Sequence, residues 1–440
     1  MSQPLARTLR QTDLVLLLVG TVIGSGIFLV PGSVLAQSGG HVGLALTVWL
    51  VGGVLSLLGA LTYGELGAMN PQSGGIYVYI RDAFGRLPAF LYGWTLFFVI
   101  SSGSLATLAV AFSNYAGQFV TLSPAGSRAL SVTMIVAIAI LNIIGTRKSA
   151  NVQNLTTALK VAALVGISTA FIFMGTGLDG IASQTLPSMD TGALMAGLGT
   201  AMIGVLWAYE GWQYVTFSAG EAIEPQRTFP RALVLGTAAL IGIYLLANIG
   251  YIAALGPEVV AASNRVAAEA VTAVMGPAAG MLIAGAILIS IFSAANGLTL
   301  TAPRVYYAMA QDKVFFARLA EVHPRFGTPA LAIGVSSAWA IVLAVSGTFE
   351  QLLTYVVFAG WLFYAVGAAS IFIYRKRAPD APRPFSVPGY PVTPALFILA
   401  AASIVLNTLF VQPDRALVGI AVVLLGVPVY WFWRAAPRYW

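Results

Sequence analysis

The chain has 440 residues, of which 58% are hydrophobic and 8% are charged, and its formal net charge is +7. Soluble domains carry roughly 25% charged residues, so the composition excludes a soluble globular protein and predicts an all-α polytopic membrane protein. In a membrane protein the net positive charge reflects the orientation of the chain in the bilayer rather than affinity for nucleic acid. The chain contains no cysteine, which excludes disulfide bonds and thiolate metal sites.

Apolar segments in chain order predict twelve transmembrane helices. The polar start, Met1–Gln11, precedes the first segment without a small-residue cleavage site, so we expect that segment to stay as a membrane helix. Short helices are predicted at Ile76–Ala83 and Ser263–Met275, and a Pro-rich basic linker at Arg375–Pro394. The predicted transmembrane helices are Asp13–Ser38, Gly43–Met69, Phe84–Val120, Ala129–Ile144, Val152–Met174, Gly192–Ala219, Ala232–Leu255, Ala278–Ala310, Ala330–Ser346, Phe349–Tyr374, Ala395–Val411 and Ala416–Trp433.

The distribution of basic residues predicts the orientation of the bundle. If the N-terminus is cytoplasmic, the cytoplasmic segments carry most of the Lys and Arg, as the positive-inside rule requires. Only Arg128, Arg265 and Arg415 lie on the opposite side. We therefore expect a multi-pass protein of the inner (plasma) membrane with both termini in the cytoplasm. The cytoplasmic set is Arg7, Arg10, Arg81, Arg86, Arg147, Lys148, Arg227, Arg231, Arg304, Lys313, Arg318, Arg325, Arg375, Lys376, Arg377, Arg383, Arg434 and Arg438.

The sequence Gly24-Ser25-Gly26-Ile27-Phe28 interrupts the first apolar segment. Each glycine weakens a continuous helix by about 1 kcal/mol relative to alanine, so the pattern favours an unwound turn. Inside a bilayer such a turn survives only where it is buried in protein or lines a cavity. The free N–H groups around Ser25, Gly26 and Ile27 would form an anion site at the start of the second half-helix. The alternative is close helix packing, because Gly20 and the first glycine of the turn form a small-xxx-small pair.

A second irregular centre, Trp207-Ala208-Tyr209-Glu210-Gly211-Trp212, lies in the sixth segment. If helices 1–5 and 6–10 are two repeats of five helices, the second repeat is inverted relative to the first. Interrupted helices at corresponding positions of two inverted repeats indicate a substrate site near the bilayer midplane. The sequence thus predicts a 5+5 inverted repeat in three regions: residues 1–175 (helices 1–5), residues 176–374 (helices 6–10), and residues 375–440 (linker and helices 11 and 12).

These motifs resemble the amino acid–polyamine–organocation transporters, and within them the bacterial relatives of the L-type amino acid transporters. The resemblance spans most of the chain and implies a LeuT-like fold, no cofactor, and sodium-independent exchange of L-amino acids with small to medium neutral side chains by alternating access. Eukaryotic members of that branch are linked to a heavy chain by a disulfide, which a cysteine-free chain cannot form. A stand-alone transporter is implied, and a monomer is one expectation. The motifs that carry the resemblance, besides the two interruptions, are Tyr63-Gly64-Glu65-Leu66-Gly67, Ser73-Gly74-Gly75, Tyr77-Val78-Tyr79, Glu221 with Pro225 and Pro230, Asn296-Gly297, and Pro303-Arg304.

An amino acid zwitterion needs hydrogen-bond donors for its carboxylate and acceptors for its ammonium. The N–H groups of the first interruption supply donors, and we expect a branched side chain at Gly26 to fill the space that the carboxylate enters. The family pattern implies acceptors at the carbonyls of Ile23, Trp207, Ala208 and Glu210. It also implies that Trp207 is an aromatic gate. The alternative for this tryptophan is a packed or interfacial residue.

Charged residues within the apolar segments are functional candidates, because they are costly in a bilayer. Glu210 could select cationic substrates or carry a proton, but a structural role is equally compatible with the sequence. We expect Glu65 to pair with a basic residue of an inner gate. Glu221 and Arg304 are expected to form a solvated pair near the inner interface.

Lys160 lies nine residues after Asn151, so it is roughly 13 Å deep in a core about 30 Å thick. We expect its ammonium to point into the bundle, although snorkelling is the alternative. The resemblance implies that this lysine occupies the place where sodium-coupled relatives bind their ion. There it would bridge helix 1 to hydroxyls such as those of Ser290 or Ser293, and a lysine that can release its proton keeps proton symport open.

Other functions remain as alternatives. A cationic amino acid or polyamine carrier follows if Glu210 selects cations. A channel is disfavoured, because it needs rings of like charge along a continuous hydrated path and the sequence shows neither. A membrane enzyme is disfavoured, because no HExxH, Walker or G-x-S-x-G motif is present.

Overall fold

The computed structural model describes residues 5–117, 119–179, 181, 184–187, 190–346, 349–411 and 413–435. In these ranges the fold is all-helical, and the extended backbone pairs only at an isolated bridge between Leu9 and Ala222. Among the described residues, ten helices are long and apolar enough to cross a membrane, and a bent pair of helices forms an eleventh span. The shorter apolar helix Ala330–Ser346 brings the bundle of the described residues to twelve helices, as predicted.

We number the membrane helices from 1 to 12 and divide helices 1 and 6 into halves a and b. Their bounds are Gln11–Val22 (1a), Gly26–Gln37 (1b), Val42–Met69 (2), Arg86–Ala116 (3), Pro124–Ile143 (4), Thr146–Met174 (5), Thr191–Ala208 (6a), Trp212–Glu221 (6b), Pro225–Leu255 (7), Pro277–Thr301 (8), Ala330–Ser346 (9), Phe349–Arg377 (10), Val392–Val411 (11) and Pro413–Ala435 (12). The shorter helices are Ile76–Phe84, Pro257–Ala262, Val266–Met275, Ala317–Ala320 and Pro303–Gln311, which continues helix 8.

The structure corrects several of the predicted boundaries; helices 5 and 7 begin at Thr146 and Pro225, six and seven residues earlier than predicted. Helix 3 runs from Arg86 to Ala116, so it is shorter than predicted. It also contains a π-helical turn. Helix 8 is interrupted before Pro303, because proline has no N–H to continue the ladder of hydrogen bonds. The predicted short helix Ser263–Met275 begins three residues late, at Val266, and is separated from a preceding helix, Pro257–Ala262, by a turn that starts at Ser263. The Ser263 hydroxyl accepts the N–H of Arg265 at 3.0 Å, which competes with helical pairing.

Helix 1 is at the centre of the bundle. Half-helix 1a packs against helices 5, 7 and 8 and against 6b, whereas 1b packs against 6a. Association of helices in a bilayer depends on close packing, because the lipid tails are as apolar as the side chains. Gly20 of 1a shows this, since a Cβ atom there would lie 2.0 Å from Thr157 Oγ1 of helix 5. The packing interpretation is therefore right for Gly20.

The division into regions 1–175, 176–374 and 375–440 stays a prediction. The two broken helices lie at its expected places, in the first and sixth spans.

Candidate functional site

The first helix break covers Ile23 to Ser25. Half-helix 1a ends at Val22, 1b begins at Gly26, and their axes differ by 50°. In the described part of the chain, the N–H groups of Ser25, Gly26 and Ile27 have no hydrogen-bond acceptor. These donors lie at the start of 1b, where the helix dipole also favours negative charge. The geometry is that of an anion site.

The second break covers Tyr209 to Gly211. Half-helix 6a ends at Ala208, and the chain continues from Trp212 as the 3-10 helix 6b. Gly211 has a φ of +125°, in a region that side chains rarely adopt, so glycine is required at this turn. An added Cβ would also lie 3.2 Å from the backbone of Thr21 in half-helix 1a. The sequence of helix 6 thus ends its α-helix where helix 1 crosses it.

The two breaks touch each other. A Cβ atom added to Gly26 would lie 2.7 Å from Ala208 Cα, so the backbones of 1b and 6a are in contact there. This corrects our expectation for Gly26. A branched side chain at this position would meet helix 6 before it reached a ligand. Gly24 differs, because a Cβ there would make ordinary 3.4 Å contacts with Leu108 and Ala294.

A small cavity of about 30 Å³ lies between the breaks and helices 3 and 8. Ligand pockets usually have at least about 300 Å³, so in this conformation, which we call closed, the cavity is too small for a ligand and must widen to admit one. Ser25 lines the cavity, and its buried hydroxyl has no partner among the described residues. Buried polar groups are normally hydrogen-bonded, so this hydroxyl is available to a ligand or water. Trp207, which is 8% exposed, also lines the cavity.

The carboxylate of Glu210 lies at the same cavity. Its Oε1 accepts hydrogen bonds of 2.5 Å from both the Tyr364 hydroxyl and Gln213 Nε2. Gln213 Nε2 also donates to the Tyr364 hydroxyl at 2.7 Å. Neither partner was predicted from the sequence, although an intramembrane acid indicates that polar partners must exist. Oε2 of Glu210 accepts no hydrogen bond within the described ranges.

Lys160 points into the bundle. Its side chain is 3% exposed, and Nζ donates to the carbonyls of Gly20 (2.6 Å), Ile23 and Ser290 (3.3 Å). The ammonium thus connects helix 5 to the end of half-helix 1a and to helix 8. The contact differs from our expectation in one respect, because Lys160 reaches the Ser290 carbonyl rather than a hydroxyl.

The two serines that we expected near Lys160 have different surroundings. Ser290 Oγ donates to the carbonyls of Ile23 (3.0 Å) and Gly24 (3.2 Å), so it fastens the break directly. The Ser293 hydroxyl is buried and has no partner in the part of the chain that the structure describes. The expected link from Lys160 to hydroxyl groups is therefore replaced by backbone carbonyls. Those of Gly20 and Ile23 lie at the end of half-helix 1a, where carbonyls lack partners within the helix.

The predicted carbonyl acceptors are unequally available. Ile23 O accepts from Lys160 and from Ser290, so both of its lone pairs are used. Ala208 O accepts from the Tyr244 hydroxyl at 2.8 Å, and the same hydroxyl lies 3.2 Å from Val22 O. Tyr244, on helix 7, therefore joins the two breaks, and sequence reasoning missed it. The carbonyl of Trp207 accepts the N–H of Glu210 at 3.0 Å, and that of Glu210 has no donor within the described ranges.

Buried ion pairs join the helices at the end of the bundle that carries the basic loops. Arg304 and Glu221 are each 1% exposed and lie 2.7 Å apart, and both bond the hydroxyl of Thr146. Our expectation of a solvated pair is wrong, because helices 5 and 6b cover it. Glu65 is also buried, and Arg375 holds it by two bonds of 2.7 and 2.8 Å, in agreement with the expected basic partner. Among the described residues no cluster of three metal-ligating side chains occurs.

A bundle of apolar helices, in which two broken helices meet around a small cavity, is the arrangement typical of a membrane transporter. The family model for amino acid permeases matches residues 9–432, and the chain belongs to that family.

Three relatives illustrate the similarity. The chain is 32% identical to the serine/threonine exchanger SteT of Bacillus subtilis over 418 residues, which cover 94% of each protein. It is also 32% identical to the mouse (Mus musculus) large neutral amino acids transporter small subunit 2, over 96% of the chain and 80% of the relative. The human (Homo sapiens) cystine/glutamate transporter is 31% identical over 96% of the chain and 85% of its own length. These relatives are transporters rather than enzymes.

Proposed function

We propose that this protein exchanges small neutral L-amino acids across the membrane, without sodium, by alternating access. The observation that carries the proposal is the contact between the two helix breaks around a cavity with unpaired N–H donors at Ser25, Gly26 and Ile27. One relative is named a serine/threonine exchanger, which supports both the mode of transport and the small side chain of the substrate.

The α-carboxylate binds the N–H groups of the first break and the hydroxyl of Ser25. The α-ammonium binds the carbonyl of Glu210 and the remaining lone pair of the Trp207 carbonyl. Those of Ile23 and Ala208 already accept other donors in the closed conformation, so their contribution is to hold the breaks in shape. Recognition by backbone groups selects the class of substrate and leaves its side chain to the cavity walls. The indole of Trp207 closes over that side chain as the gate.

Lys160 replaces a coupling cation. Its ammonium lies between helices 1, 5 and 8 and is held there by carbonyl oxygens, which are also the usual ligands of a small cation. A resident positive charge makes a sodium ion at this place unnecessary and repels one. Proton symport is the alternative coupling, in which Lys160 releases its proton during the cycle.

A cationic amino acid carrier is a second candidate function. It is favoured by one observation, that Glu210 lines the cavity and its Oε2 accepts no hydrogen bond within the described ranges. Against it, Tyr364 and Gln213 both bind Oε1, which is the arrangement of a carboxylate that braces helices 6 and 10. Glu210→Gln separates the two. A neutral exchanger keeps uptake of neutral amino acids, whereas a cationic carrier loses uptake of arginine.

The positive-inside distribution of basic residues supports a multi-pass protein of the plasma membrane with both termini in the cytoplasm. The proposal also includes two inverted repeats and a monomeric transporter. The large neutral amino acid relative is named as a small subunit, but a cysteine-free chain cannot be disulfide-linked to a heavy chain.

Uptake into proteoliposomes tests the proposal. With purified protein and a panel of radiolabelled amino acids, internal unlabelled serine or threonine should stimulate uptake, and replacement of sodium by choline should have no effect. Accumulation driven by a sodium gradient, or flux that neither saturates nor responds to internal substrate, would contradict the proposal. Acidification of the lumen during net uptake would select proton symport over exchange.

A further inference from the structure

A second, larger cavity lies at the end of the bundle that carries the basic loops. Its volume is about 650 Å³, within the range of about 300–1,000 Å³ that is typical of ligand pockets. Three separate elements form it: the start of helix 3, the segment that follows Pro303–Gln311, and the end of helix 12. It is distant in sequence from the helix breaks, and the transport site uses none of its residues.

Ring contacts hold the three elements together around this cavity. Trp433 of helix 12 packs on Phe315 and Phe316, with ring centroids 5.9 and 4.5 Å apart. Tyr430, one turn earlier, packs on Phe90 of helix 3 at 5.4 Å. The walls of the cavity are therefore supported by packed aromatic groups rather than by loops alone.

The cavity is lined by three cations from the three elements: Arg86, Lys313 and Arg434. In the ranges that the structure describes, none of them forms an ion pair, and the guanidinium of Arg434 lies 5.5 Å from the ring centroid of Trp431. Three like charges around one cavity repel each other, so an anion between them would be bound favourably.

One acid, Asp312, also lines the cavity, but its charge is compensated. Asp312 Oδ2 accepts from Arg81 and from the Tyr77 hydroxyl, each at 2.8 Å. Burial, together with the negative charge of Asp312, raises the pKa of the Tyr77 phenol above its ordinary value, so the phenol stays a donor. The net charge that faces the cavity is thus positive.

The surroundings identify the source of the anion as a lipid. Tyr430 and Trp433 are residue types that concentrate at the level of lipid headgroups. The adjoining surface of helix 12 exposes Leu424 (59%), Leu425 (59%) and Phe432 (74%), which suits acyl chains beside the helix. Basic pockets between membrane helices on the cytoplasmic side are known to take anionic headgroups.

We propose that this cavity binds the phosphate of an anionic phospholipid, with the headgroup between Arg86, Lys313 and Arg434 and the acyl chains along helix 12. A lipid bound there offsets part of the positive charge of the three cations and joins helix 12 to helix 3. The site is independent of the transported substrate.

The test is titration of the detergent-purified full chain with phosphatidylglycerol, with bound lipids counted by native mass spectrometry. Phosphatidylglycerol should bind in preference to phosphatidylcholine. Each cation near an anionic group contributes about a factor of five, so Lys313→Gln with Arg434→Gln should weaken phosphatidylglycerol binding by about 25-fold. Both side chains are exposed, and the double variant should keep its melting temperature in phosphatidylcholine.

The matched control is Arg318→Gln with Lys376→Gln, which removes the same charge from exposed residues outside the cavity. It should bind phosphatidylglycerol as the native protein does. Equal binding of the two lipids, or equal losses in the two double variants, would overturn the proposal. Glycerol 3-phosphate and inorganic phosphate serve as soluble competitors. If they bind as tightly as phosphatidylglycerol, the ligand is a free anion, and the lipid assignment is wrong.

Discussion

Replacement of Lys160 by alanine tests the central arrangement of the site. The change removes an ammonium that donates to Gly20 and Ile23 of half-helix 1a and to Ser290 of helix 8. A hydrogen bond to a charged group contributes about 1.5–3 kcal/mol, so the two bonds to half-helix 1a together contribute about 3 kcal/mol or more. Because 1.4 kcal/mol corresponds to a factor of ten, we expect the exchange rate of Lys160→Ala to fall by about 100-fold.

The measurement is the initial rate of serine exchange in proteoliposomes, with the amount of reconstituted protein determined in parallel. Lys148→Ala is the control, since Lys148 is an exposed lysine near the start of the same helix. It should exchange at the native rate. Size-exclusion profiles and melting temperatures show whether the loss in Lys160→Ala reflects the transport cycle or a failure to fold. A folded Lys160→Ala variant with the native rate would refute the reasoning, because it would show that the three carbonyls need no cation.

Three further variants test other parts of the structure. Gly26→Ala should lower the free energy of unfolding by about 1–3 kcal/mol, because the added Cβ would clash with Ala208. The control, Gly24→Ala, should melt at the native temperature, and equal melting temperatures of the two variants would contradict the contact between the breaks. Trp207→Ala should raise the KM for exchange by about tenfold, because buried aromatic area is lost. Its substrates should still need free α-amino and α-carboxyl groups, and transport of amino acid esters would contradict recognition by the backbone. Glu221→Gln should lower the free energy of unfolding by about 3–5 kcal/mol, since it leaves the buried guanidinium of Arg304 without its counter-charge. A melting temperature equal to that of the native protein would show that water reaches the pair.

The sequence by itself determined the class of the protein, because hydropathy and the positions of Gly and charged residues are local properties of the chain. Twelve apolar segments, the breaks at Gly24–Gly26 and near Gly211, and the inward-pointing Lys160 were all predictable in this way. A helix in a bilayer must satisfy its own backbone, so a pair of glycines or a charge within it has few possible meanings.

Only the tertiary structure decided which groups meet. Tyr364 donates a hydrogen bond to Glu210, which lies 154 residues away in the sequence. Arg304 binds Glu221, 83 residues away in the sequence, and the pair is buried rather than solvated. Tyr244 joins both breaks although nothing in its surrounding sequence distinguishes it from other membrane tyrosines. The physical reason is that hydrogen bonds and close packing depend on distances of a few ångströms between helices. The sequence of one helix sets its own period and ends, but the crossing of two helices sets which side chains reach each other.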